Sequence, residues 1–142
     1  MANWNRTKLA VAAVSVAIYF IAAACFKFTY VPVHPPAGTV MQLHPPFEKF
    51  YASDVAYAVK VPQLDAFSDN VDTPRRSNYL VYENDHPLGP AHSQHADISK
   101  IGNGRFSHWS EEGFIFSSSD NSDPRTTGRR YWVVLPKDRP HE

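Results

Sequence analysis

The 142-residue chain has little cysteine, little glycine and no net charge. Its only cysteine, Cys25, lies in an apolar run near the N-terminus, so we expect neither disulfides nor thiol chemistry in the rest of the chain. Fourteen basic residues balance fourteen acidic ones, which excludes the basic face of a nucleic-acid-binding domain. The sequence contains no phosphate-binding loop, dinucleotide fingerprint, nucleophile elbow or domain-sized repeat. We therefore expect no nucleic-acid partner and no cofactor.

The strongest pattern is an uncharged apolar run over residues 9–26, interrupted only by Ser15. As a helix with about 1.5 Å rise per residue it is roughly 27 Å long, enough to cross a bilayer core. The pattern predicts a cytoplasmic N-terminus over residues 1–8 and a transmembrane anchor over residues 9–27. Arg6 and Lys8 precede the run, and after Lys27 no basic residue occurs before Lys49. The positive-inside rule then predicts a single-pass protein of a bacterial inner membrane with its C-terminal domain in the periplasm or otherwise outside the cytoplasm.

The same run has two other interpretations. The basic start, the short apolar core and the alanines at 22–24 also describe a cleavable signal peptide. In the second interpretation, the chain is a bacterial lipoprotein, and Cys25, directly after those alanines, is its acylated residue. All three interpretations deliver the same domain to the same side of the membrane.

Residues 28–46 are predicted to form a proline-rich linker, because Pro32, Pro35, Pro36, Pro45 and Pro46 favour extended chain. A domain over residues 47–136 and a short tail over residues 137–142 follow. Alternation predicts a strand at 54–61, and segments rich in Tyr, Val and Phe predict strands at 78–83, 113–118 and 131–135. Ser93 is predicted to cap one short helix that Gly102 ends, with Ala96, Ile98 and Ile101 facing a core.

The fold class predicted from these segments is a single N-terminal transmembrane helix followed by a small, mainly antiparallel β domain, either a sheet or a sandwich, with one short helix. The connections are too short for parallel crossovers.

The histidines are concentrated in one part of the domain. His92 and His95 are three residues apart at the start of the predicted helix, and His108 follows closely. Imidazole at this spacing predicts a metal site in these three residues, which a metal-dependent hydrolase would use. The alternative is that each ring forms hydrogen bonds within its own turn or is an ordinary buried polar residue.

Residues 117–130 read SSSDNSDPRTTGRR and predict a long polar turn. Arg125, Arg129 and Arg130, together with Arg105, form a donor cluster suited to a carboxylate or phosphate. The alternative is intramolecular pairing with Asp120, Asp123 and the glutamates at 111 and 112. Trp109 joins the predicted partner or ligand surface, since indole rings in loops beside polar groups are typical of sugar sites. Trp132, beside Tyr131, is the second such indole, and the alternative for both is a place in the core.

Residues 80–109 and 114–131 resemble a small domain of bacterial envelope and membrane proteins, some of them related to polysaccharide assembly. The resemblance implies an extracytoplasmic bacterial setting and two loops, 92–109 and 119–130, that act together.

The predicted function is a non-catalytic accessory or assembly subunit of a bacterial inner-membrane complex. Its expected partners are the lipid bilayer and integral membrane proteins, which the small residues Ala10, Ala13 and Ala17 allow to pack closely against the anchor. The alternative is a membrane-tethered glycan-binding module in envelope polysaccharide synthesis or export, and the third candidate is the metal-dependent hydrolase.

Overall fold

A computed structural model of the chain describes residues 2–29 and 35–136. Its contacts fall into two units, residues 1–32 and residues 33–142. The first unit contains helix α1, Ala2–Thr29, in which the stretch Lys8–Cys25 is long and apolar enough to cross a membrane. No residue of that stretch is buried. The predicted N-terminal apolar helix is therefore confirmed, whereas part of the predicted linker (30–34) and the predicted tail (137–142) lie outside the described residues.

In its described part, the second unit consists of short strands and one α-helix. In chain order they are β1 (Thr39–Leu43), β2 (Glu48–Lys49), β3 (Tyr57–Val59), β4 (Leu80–Glu83), β5 (His86–Pro87), α2 (His95–Lys100), β6 (Phe106–Trp109), β7 (Gly113–Phe116) and β8 (Tyr131–Val134). One sheet has the order β1-β8-β4-β5 and the other has the order β2-β3-β7-β6. All strand pairs within the two sheets are antiparallel, as predicted.

The two sheets pack face to face around one aromatic core. Val81 and Val133 from the first sheet lie in the same buried cluster as Phe114 and Phe116 from the second. The central strands β7 and β8 are buried along their whole length, which is why each is a continuous apolar run. Helix α2 covers the outer face of the second sheet, where Ile98 packs with Ile115 of β7. The domain is therefore a small antiparallel sandwich with one helix against it.

The four predicted strands are present as β3, β4, β7 and β8, each shorter than predicted. Strands β2, β5 and β6 were not predicted, and β1 lies within the segment assigned to the linker. Thr39 is opposite Val134 and Leu43 is opposite Tyr131, so β1 obtains its backbone hydrogen bonds from β8. A partner this distant in sequence leaves no local pattern in the proline-rich segment.

Helix α2 differs from its prediction at its start. The residue before the helix is Gln94 rather than Ser93, and no side chain caps the first turn. Ser93 instead donates its hydroxyl to the carbonyl of Pro90 at 2.7 Å. Ile98 is buried as predicted, while Ala96 and Ile101 are exposed. Gly102 ends the helix as predicted, with a φ of +66° that suits glycine.

Candidate functional site

A cavity of about 320 Å³ lies on the outer face of the second sheet, at the start of α2. It is lined by Asp69, Pro74, His92, Ser93, Gln94, His95, Ser107 and Trp109. Strand β6 reaches it because side chains alternate along a strand. Phe106 and His108 face the core between the sheets, whereas Ser107 and Trp109 face α2 and the cavity.

Asp69 and His92 form a hydrogen-bonded pair in the wall of this cavity. The Asp69 carboxylate is 1% exposed, and its Oδ2 is 2.6 Å from Nδ1 of His92. Its Oδ1 accepts the backbone N–H of Ser77 at 2.8 Å. The pair fixes the orientation of the His92 ring and leaves Nε2 as the ring nitrogen that Asp69 does not engage.

The backbone on both sides of this pair is constrained. Asp69 is attached to the edge of β6, since its N–H donates to the carbonyl of His108 at 2.8 Å and its carbonyl accepts from Ser110 at 3.0 Å. His92 has a φ of +53°, a conformation that is unfavourable for a residue other than glycine. Such backbone is retained where the surrounding structure enforces it, as it often does at binding sites.

An aromatic wall adjoins the pair. The rings of His95 and Trp109 meet edge to face with centroids 5.6 Å apart, and the His95 ring meets Phe50 in the same way at 5.2 Å. Burial lowers the pKa of His95, and the nearby Glu112 carboxylate only partly opposes this. The His95 ring is therefore neutral at neutral pH and contributes apolar surface.

Ser107 supplies a second polar group. Its side chain is 2% exposed, and within residues 35–136 its Oγ has no hydrogen-bond partner. A buried hydroxyl without a partner costs free energy, so a ligand that bonds to it is favoured.

The three histidines predicted as metal ligands are not brought together. His92 and His95 line the cavity, but His108 lies in the core, stacked on Phe114 with ring centroids 4.0 Å apart. Its Nδ1 is 2.9 Å from the hydroxyl of Ser77, and burial lowers the pKa of His108 to about 4. Across the described ranges, no group of three or more His, Cys, Asp or Glu side chains is arranged to hold a metal ion.

The arginines of the 117–130 loop pair within the molecule, as the alternative prediction states. Arg125 binds Asp123 at 2.6 Å, and its guanidinium lies 5.2 Å from the centre of the Tyr57 ring. Arg129 binds Asp120 at 2.6 Å. The hydrogen bonds from these two arginines hold the pKa values of the two aspartates well below their usual range. The side chains of Arg125 and Arg129 thus fix the loop.

The other members of the predicted surface are placed separately. Arg105 donates to the carbonyl of Gly102 at 3.0 Å, and the backbone of Arg130 donates to Asn84 at 3.0 Å. Trp132 lies in β8 with 8% exposure, which agrees with the predicted strand and the core alternative and not with a place in an exposed loop. Trp109 is the predicted ligand residue that lines the cavity.

Sequence reasoning missed Asp69 and Ser107. Asp69 stands in a polar segment without periodicity, and its partners are far away in sequence. Ser107 also lacked a usable signal, because residues 106–109 read FSHW and do not alternate between apolar and polar.

Comparison with protein-family models, with curated proteins and with solved structures finds no match for this chain. A functional assignment therefore depends on the chemistry of its own residues.

Proposed function

We propose that the chain is a non-catalytic accessory subunit of a bacterial inner-membrane complex, anchored by α1 with its β domain outside the cytoplasm. The observation that carries this proposal is the surface of α1. Eighteen consecutive residues, Lys8–Cys25, are apolar enough to cross a membrane and all are exposed. Exposed apolar surface of this extent needs a bilayer or partner helices to cover it.

The basic residues support the orientation. Arg6 and Lys8 precede the apolar stretch, which favours a cytoplasmic N-terminus. A protease added to sealed spheroplasts is expected to digest the β domain. Protection of that domain from the protease contradicts this orientation.

A stripe of small residues on one side of α1 supports the proposal that the chain belongs to a membrane complex. At 100° per residue Ala10, Ala13 and Ala17 lie on the same side of the helix, where small side chains let another helix approach closely. Replacing Ala13 and Ala17 together with leucine is expected to reduce co-purification with membrane partners while insertion continues. The matched control is leucine at Val11 and Ala22, which lie on the opposite side. Equal effects of the two double variants contradict a specific packing face.

A second candidate function, a membrane-tethered glycan-binding module, is favoured by the cavity. An aromatic wall from Trp109 and His95 stands beside the Asp69–His92 pair and the Ser107 hydroxyl. Apolar ring faces next to oriented hydrogen-bonding groups match the two kinds of surface on a sugar.

A further inference from the structure

The cavity offers two hydrogen-bonding groups on neighbouring elements. Ser107 is fixed on β6, and its buried Oγ has no protein partner in the described part of the domain. His92 has its Nδ1 engaged by Asp69, so Nε2 is the ring nitrogen that remains for a ligand. The serine hydroxyl can both donate and accept, and the imidazole nitrogen can form one further hydrogen bond. This combination suits hydroxyl groups, each of which is itself a donor and an acceptor.

The charges around the cavity favour a neutral ligand. Among residues 35–136, no lysine or arginine lines this first cavity, so a carboxylate or phosphate gains no ion pair from them. The charged carboxylate in its lining, Asp69, already accepts from His92 and Ser77. A cation therefore gains little from that carboxylate, and a second negative charge beside it is unfavourable.

The size and the wall favour a ring. A volume of about 320 Å³ is at the lower end of the range for small-molecule sites. The indole of Trp109 and the neutral ring of His95, which meet edge to face, provide aromatic surface in its lining.

A second hollow of about 450 Å³ shares one lining residue, His95, with the first. Tyr51, at 77% exposure, and Lys100 also line it. The buried ring of Phe50 contacts both Tyr51 and His95. Trp109, His95 and Tyr51 therefore belong to one cluster of ring contacts.

We propose that these two hollows bind a short glycan, with a neutral first ring against Trp109 and hydrogen-bonded to Ser107 and His92, and the next ring on Tyr51. This inference rests on the second candidate function. It names a ligand class, assigns binding of the first ring to Ser107, His92 and Trp109, and assigns recognition of a second ring to Tyr51.

The experiment uses the full chain in lipid nanodiscs, which avoids sugar-based detergents. The probes are the methyl pyranosides of glucose, galactose, mannose and N-acetylglucosamine, their β-linked disaccharides, and glucuronate as the charged comparison. Binding is measured by saturation-transfer NMR and calorimetry. At least one neutral pyranoside is expected to bind with a dissociation constant of about 1 mM, and its disaccharide more tightly. Failure of every neutral probe to bind, or tighter binding of glucuronate, overturns the proposal.

Variants test the residue assignments. Ser107→Ala is expected to weaken monosaccharide binding about three- to tenfold through one lost hydrogen bond, whereas Ser110→Ala on the exposed side is the matched control. Trp109→Ala is expected to weaken binding at least about tenfold, and Trp109→Phe, which keeps a ring and preserves packing, less. Unchanged affinity in both Ser107→Ala and Trp109→Phe overturns the placement of the first ring.

Tyr51→Ala separates the two hollows. It is expected to abolish the gain from monosaccharide to disaccharide while monosaccharide affinity stays the same. A disaccharide gain that survives this substitution refutes the second subsite. Co-purification of membrane partners is measured on the same samples. Co-purification of partners without sugar binding rejects the glycan-binding proposal and supports the accessory-subunit proposal. Sugar binding without co-purification rejects the accessory-subunit proposal and supports the glycan-binding proposal.

Discussion

Acidification is expected to destabilise the β domain through His108. The ring is 2% exposed, stacked on Phe114, and its Nε2 has no hydrogen-bond partner among residues 35–136. Burial lowers its pKa from 6.5 to about 4, although the carboxylates of Asp69 and Asp65 oppose this by favouring the charged form. The folded domain therefore holds His108 neutral over a pH range in which the unfolded chain protonates it.

The sign and the size of the change in the free energy of unfolding with pH follow from proton linkage. Between pH 6.5 and pH 4 the unfolded state binds more protons at this position, so the free energy of unfolding falls as the pH falls. The contribution is fully present above about pH 6.5 and is lost as the pH approaches 4. A pKa difference of this size corresponds to a loss of about 2.5 kcal/mol between about pH 7.5 and pH 4.5.

The assay is urea unfolding of the full chain in micelles at several pH values, followed by tryptophan fluorescence. The natural protein is expected to lose stability steeply over this interval. His108→Gln, which can still hydrogen-bond to Ser77, is expected to be less stable at neutral pH and to show a much smaller pH dependence. His86→Gln is the matched control, because His86 is exposed, and it is expected to keep the natural slope. Equal slopes in the natural protein and in His108→Gln would refute this reasoning.

Two further predictions concern the sandwich and use the same denaturation assay. Gly113→Ala is expected to destabilise the domain by at least about 2 kcal/mol, because φ is +80° and a Cβ would lie 2.5 Å from a backbone oxygen of β3. The control Gly128→Ala is expected to cost about 1 kcal/mol, because φ at Gly128 is similar but a Cβ there meets open space. Comparable losses would contradict the steric argument. Tyr131→Phe is expected to lower the free energy of unfolding by about 1–3 kcal/mol, since the buried Tyr131 hydroxyl donates to Glu83 at 2.9 Å. Tyr79→Phe is the control without such a bond. An unchanged stability in Tyr131→Phe would contradict a role for this hydrogen bond.

The features of the fold that could be predicted from the sequence are those that depend on consecutive residues. The apolar run of α1, the alternation around β3 and the Tyr-, Val- and Phe-rich segments of β4, β7 and β8 are contained in consecutive residues, so the sequence alone predicted them. Gly102 is similar, because ending a helix at positive φ is a local requirement.

The cavity depended on residues that are distant in sequence. Asp69 reaches His92 across 23 positions, and β1 obtains its place in the sandwich from β8. The three histidines looked alike in sequence, yet His108 stacks in the core while His92 and His95 line the cavity.

The sequence by itself determined the apolar helix, four of the strands and which side chains are available for chemistry. The tertiary structure alone decided which of those side chains meet, which are buried and which keep an unpaired polar atom. The physical reason is that periodicity reports a residue's own backbone and face. Burial and hydrogen bonding depend on partners supplied by other strands, and nothing in a local pattern specifies those partners.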